Sequence, residues 1–171
     1  MSRRAMLFAG VLLVGCARQP EHRPAAAPPV AEGPSMLVSI VRAEGGPRAS
    51  GAVVDARSRS GALLLVRGPS QPRGAATVAR LGAERAVSKI QNVVRLLDTI
   101  EASREPDPEL HVFLQVDRAR ATHTSLASLG FAADTLAGDV ATGWVRVTAL
   151  ERVLASDIVQ RLEPPDTVHL R

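Results

Sequence analysis

One thiol, four histidines and scattered carboxylates and hydroxyls are the groups of this 171-residue chain that could do chemistry. Cys16 is the only cysteine, which excludes internal disulfides even in an oxidising compartment. His22, His111, His123 and His169 show no metal-ligand spacing of the HxxxH or CxxC kind, so no metal is expected. His111 and His123 flank a strand and a helix start and are expected on the surface. Asp134 and Asp139 lie around a turn, where Asp139 supplies turn chemistry. Ser125 and Ser128 lack the GxSxG setting of a hydrolase nucleophile. A P-loop and a GxGxxG motif are both absent. These residues give no reason to expect catalysis or a cofactor.

The position of Cys16 matters more than its solitude. Arg3 and Arg4 make a positive start, Ala5 to Val14 form an apolar run, and small Gly15 precedes the thiol. This is the three-part plan of a secretory signal. The run is about half of the ~20 residues that a spanning helix needs, so it directs export and is no permanent span. Leu13-Val14-Gly15-Cys16 resembles the lipobox of bacterial lipoproteins. That resemblance implies a diacylglyceryl group on the Cys16 sulfur, cleavage after residue 15 and attachment to a membrane by lipid. Two or three acyl chains exceed what stable anchoring requires. Ala17, in place of aspartate, implies the outer membrane of a Gram-negative envelope.

Composition narrows the partners. Of 21 basic residues only Lys89 is a lysine, and the arginines are interspersed with 17 acids. The formal charge of +4 falls by two when Arg3 and Arg4 are removed. With no basic run and only three Phe and one Trp to stack on bases, nucleic-acid binding is not expected.

The elements that must position these residues follow from patterning. Residues 16–35 are rich in Pro and Ala without apolar periodicity and read as a disordered tether. Residues 36–74 hold three short apolar runs, MLVSIV, GAVVDA and GALLLV, separated by turn signals, and read as a small β-meander. Residues 75–105 read as helix, on a seam of Ala79, Ala83, Ala86, Ile90, Val93, Leu97 and Ile100, with Gly82 a possible division. The seam serves either packing within the molecule or a coiled-coil dimer.

Residues 109–171 carry the clearest pattern. Leu110, Val112, Leu114 and Val116 alternate with polar or exposed positions, as in a half-buried strand. A short helix from Thr122 to Leu129, strands at Phe131 to Ala137 and Val140 to Val147, a helix capped by Thr148 and a strand at Ile158 to Glu163 follow. The order is βαββαβ, so the fold class expected is α+β, with a C-terminal ferredoxin-like domain after a helix and a small β region.

LHVFLQVD, SLASLGF and AGDVATGWVRVTALERVLASDIVQRLEP are together similar to the propeptide segment of bacterial subtilisin-type proteases. SKIQNVVRLLDTIEA resembles the helix that leads into that segment, so the resemblance covers residues 88–164. It implies a non-catalytic module whose sheet packs on surface helices of an exported serine protease and whose tail can enter the cleft. No Asp/His/Ser set is present to carry over, so no protease activity is implied. VSKIQNVVRLL is also similar to a BON-type envelope domain, which implies a structural or accessory lipoprotein without a protease target.

Alternation sets Phe113 and Trp144 on one face of the expected sheet, on adjacent central strands. They are the candidate partner-binding residues, unless the helix around Ile90 to Ile100 folds over that face. Asp166 to Arg171 is the stretch placed to enter a protease cleft, or is a frayed end.

Overall fold

A computed structural model describes residues 37–43, 51–68 and 77–164. The signal segment, Cys16, the tether and the Asp166 to Arg171 tail lie outside the described residues. The described chain is a mixed α+β structure with two four-stranded antiparallel sheets and few helices.

The first sheet is built around β1 (Leu37–Arg42), in which Val38 and Ile40 are buried on one face and Ser39 and Val41 on the other. A strand buried on both faces belongs at the centre of a sheet. β1 accordingly pairs with β3 (Leu63–Gly68) on one side and β4 (Thr77–Gly82) on the other, while β2 (Val53–Arg57) forms the edge beyond β3. The order β2-β3-β1-β4 is not the meander expected over residues 36–74, which would set β2 beside β1. Each fully buried aliphatic side chain here contributes roughly 2 kcal/mol. Val53 on β2 is exposed, so the apolar content of LVSIVR settles which strand is central.

β4 corrects the helix expected over residues 75–105. Ala79 and Leu81 are buried and Arg80 is exposed, a period of two. Three alanines on the expected seam bury little area, so pairing with β1 prevails over helix propensity there. The helical part is confined to α1 (Glu84–Val87) and α2 (Val93–Ser103). Between them Ile90 bridges Leu162 in parallel, with Gln91 N donating to Leu162 O at 2.9 Å and Leu162 N to Lys89 O at 2.9 Å. Asn92 starts α2 by accepting from Arg95 N at 3.0 Å. Leu96, Leu97 and Ile100 of α2 are buried inside the molecule, which is the packing alternative for the seam. The β2–β3 turn is tied to α2: Arg59 N donates to Asp98 Oδ1 at 2.7 Å, and Ser60 Oγ donates to Glu101.

The second sheet follows the expected alternation closely. Its elements are β5 (Glu109–Val116), α3 (His123–Ser128), β6 (Phe131–Ala137), β7 (Val140–Arg146), α4 (Leu150–Ala155) and β8 (Val159–Glu163). The strand order is β6-β7-β5-β8, with every pairing antiparallel. Leu110, Val112, Leu114 and Val116 all point into the core. Thr122 and Ser125 form a reciprocal capping box on α3. Thr148 does not cap α4; a 3-10 turn, Val147–Ala149, intervenes. Asp107 instead accepts from Thr148 N at 2.9 Å and Thr148 Oγ1 at 3.0 Å. At the other end of α4, Lys89 Nζ donates to Leu154 O and Ser156 O, both at 2.8 Å. Burial, then the nearby Arg85, hold the Lys89 ammonium below the ordinary lysine range, while Asp157 acts the other way.

The two sheets share a plan. In both, the first strand of the set pairs with the third and fourth, and the second lies outermost beside the third. Each outermost second strand carries one bulge, and the extra residue is an aspartate: Asp55 in β2 and Asp134 in β6. The face of the first sheet that holds Val38, Ile40, Leu63 and Leu65 is covered by helices, with α2 on β2 and β3 and α4 against β4. α4 also packs on β8, and one hydrophobic cluster runs from the first sheet through the helices to the second. The segments 36–74, 75–105 and 109–171 therefore share one core among the described residues.

Candidate docking face

The core-facing side of the second sheet is closed by the helices, and its other side is the one that β5 and β7 line with rings. Strand alternation dictates this. With Leu110, Val112 and Leu114 turned inward, His111 and Phe113 turn outward. With Val145 buried, Trp144 turns outward from β7. α2 does not fold over this side: its buried residues belong to the core, and Phe113 is 41 % exposed. Val140, at the end of the same face, is 43 % exposed.

Phe113 and Trp144 are diagonal neighbours, with a third ring between them. In the β5–β7 register His111 stands opposite Trp144, and Phe113 opposite Thr142. The His111 ring centroid is 5.0 Å from that of Trp144 and 6.0 Å from that of Phe113, both in edge-on geometry. The bulge in β6 turns Asp134 onto this face, where its Oδ2 lies 3.5 Å from His111 Nε2. The charged rim continues with Arg146, whose Nε donates to Glu109 Oε1 at 3.1 Å. Beside Phe113, a cleft of about 260 Å³ is lined by Gln91, Gln115, Val140, Arg161 and Glu163 among others.

His111 was expected on the surface and is half-buried, its side chain 21 % exposed, at the centre of the aromatic row. The signal was present: His111, Phe113 and Gln115 share one parity on β5. The bulge that aims Asp134 leaves no mark in the sequence. Ser125 and Ser128 are occupied locally, Ser125 Oγ in the capping box and Ser128 Oγ donating to Ser125 O at 2.7 Å. His123 begins α3 and is exposed. Cys16, His22 and His169 lie outside the described residues. Among the described residues no group of three His, Cys, Asp or Glu could hold a metal ion, and no helix is long and apolar enough to cross a membrane.

A second concavity, of about 280 Å³, opens on the covered face of the first sheet. Val38, Ala56, Leu65 and Val93 make its apolar floor. At its mouth Arg67 is held by Asp55 at 3.3 Å and by Glu84 of α1 at 3.5 Å. Arg67 stands opposite Val53 in the β2–β3 register, as Trp144 stands opposite Ala132 in the β6–β7 register. On the first sheet this position is bonded to a helix, and on the second it belongs to the aromatic row.

No protein-family model, no curated protein and no solved structure matches the chain.

Proposed function

We propose that the protein is a lipid-anchored envelope protein whose C-terminal half is a non-catalytic, ferredoxin-like module that docks on an exported subtilisin-type serine protease. Cys16 is the site of lipid attachment, and residues 16–35 are the tether. The ferredoxin-like reading is supported by the βαββαβ order of β5 to β8 together with the β6-β7-β5-β8 arrangement, in which the first and third strands are central.

The observation that carries the functional reading is the aromatic row of exposed Phe113 and half-buried His111 and Trp144, on the outward side of a sheet whose other face is closed by its own helices. Aromatic side chains at the centre of a patch, ringed by charged pairs, are the composition of an interaction hot spot. The shared plan of the two sheets supports the kind of surface that fits. The corresponding face of the first sheet receives helices, and the propeptide resemblance implies that protease surface helices cover the second.

The test is capture from envelope extract with the soluble region from Ala17, carrying either the wild-type face or Phe113→Ala together with Trp144→Ala. Recovery of a subtilisin-type protease by the wild type, and its loss with the double variant, is the expected result. Recovery of other envelope proteins only, equally by both baits, would favour an accessory lipoprotein with no protease target.

A further inference from the structure

The concavity on the covered face of the first sheet has a floor and a rim of opposite character. Its floor is made of side chains that the fold buries: Val38 and Leu65 are each 1 % exposed, and Ala56 and Val93 are half-buried against the same core. Strand parity brings a charge to this apolar face. Leu63, Leu65 and Arg67 share one side of β3, and Arg67 stands opposite Val38 on β1. The bulge in β2, between Val54 and Ala56, sets Asp55 at the rim, and Glu84 reaches the rim from α1. The guanidinium lies between both carboxylates, with Nη2 3.3 Å from Asp55 Oδ1 and Nη1 3.5 Å from Glu84 Oε1. Two carboxylates against one guanidinium leave the rim with one negative charge in excess. Each carboxylate meets Arg67 through one oxygen, so its other oxygen keeps acceptor capacity.

We propose that this concavity binds a small amphipathic cation, an ammonium group on an apolar stem of about six carbons. The stem lies on Val38, Leu65 and Val93, and the ammonium stands between Asp55 and Glu84, in a volume of about 280 Å³. Removal of the stem from water supplies most of the affinity, roughly a three- to fourfold gain for each methylene. The rim supplies the choice of charge. An ammonium neutralises the excess, whereas a carboxylate must displace Glu84 from Arg67 and still face Asp55. Glu84 is in contact with water, its side chain 71 % exposed, so the choice is several-fold and weakens with added salt. Neither Cys16 nor the aromatic row contributes to this site, which is therefore independent of anchoring and of protease docking.

The probes are n-hexylammonium chloride, n-butylammonium chloride and sodium hexanoate, titrated against the full chain, solubilised. The methyl resonances of Val38, Leu65 and Val93 are the readout, since they report the cavity and not the detergent. Hexylammonium is expected to shift them saturably, with a Kd of at most about 1 mM, within reach of so small a ligand. Hexanoate should bind at least about threefold more weakly, and butylammonium at least about fivefold more weakly, than hexylammonium. Ala56→Leu, which fills the floor, should weaken hexylammonium at least about tenfold. Glu84→Gln, at an exposed position, should at least halve the preference for hexylammonium over hexanoate. No saturable shift below about 10 mM, or hexanoate binding as tightly as hexylammonium, would overturn the proposal. So would an affinity that Ala56→Leu leaves unchanged in a folded protein. If Ala56→Leu does not fold, Glu84→Gln decides: a preference left whole there means that the rim does not choose the charge, and the proposal fails.

Discussion

Gly143→Ala should destabilise the fold by at least about 3 kcal/mol, the upper part of what overpacking does, although it adds one methyl group. A Cβ at Gly143 would stand 2.1 Å from Ala132 O, 2.8 Å from Ala133 Cα and 2.9 Å from Ala132 C. All three are backbone atoms of the neighbouring strand, so no side chain can turn aside. The cause is the β6 bulge. The register runs Ala133 to Gly143 and then Thr135 to Thr142, and the extra residue, Asp134, draws the β6 backbone over position 143. Relief requires β6 and β7 to part beside the row that β5 and β7 carry. Gly138→Ala, in the turn of the same hairpin, is the control. Gly138 has φ +65° and nothing within 4 Å of a Cβ, so its substitution meets only the left-handed backbone penalty, about 1 kcal/mol. Thermal unfolding separates the two: a loss of about 10 °C for Gly143→Ala and a few degrees for Gly138→Ala. Equal shifts would show that β6 yields freely and that the bulge is not rigid.

Cys16→Ser should abolish lipid attachment outright. The lipobox reading requires a thioether on the residue 16 sulfur before cleavage, and a serine hydroxyl cannot form one. The variant is expected to take up no labelled fatty acid, to remain an uncleaved precursor and to be lost from the mature membrane-held form. No substitution in the described part of the chain should have this effect, because the anchor and the fold are separate in sequence. Normal processing and retention of the serine variant would remove the lipid anchor from the account.

How much of this was legible in the residues varies along the chain. β5 was plain because Leu110, Val112, Leu114 and Val116 alternate without a break, and so the parity of Phe113 and Trp144 followed. The Gly138-Asp139 turn and the Thr122 start of α3 were plain because their chemistry is local. β4 was not, because TVARLG is short and its alanines also fit a helical seam; pairing with β1, decided by residues about forty positions away, overrode that local preference. The order of the first sheet was hidden for the same reason: a β2–β3 hairpin is a local event, while seating β1 between β3 and β4 is not. Thr148 offered a familiar helix start, but Asp107 reached it from a distant loop. Gly143 passed as an ordinary strand residue, and His111 as an ordinary surface histidine. Both owe their significance to one bulge at Asp134, which the sequence does not announce.

A row of Phe113, His111 and Trp144 that docks on a protease must lose affinity when its largest ring is removed. The most direct test pairs two quantities measured on Trp144→Ala: the Kd for a subtilisin-type serine protease and the free energy of unfolding. Trp144 is half-buried on the outward face, against His111, so its removal should cost clearly less than the ~3–5 kcal/mol that follows loss of a fully buried aromatic side chain. As an aromatic anchor it should supply at least about 2 kcal/mol of binding, a loss of roughly thirtyfold in Kd. Weakened binding with only that smaller loss of stability is the expected result. Unchanged binding, or a loss of about 3–5 kcal/mol of stability of the kind that follows removal of a core side chain, would contradict it.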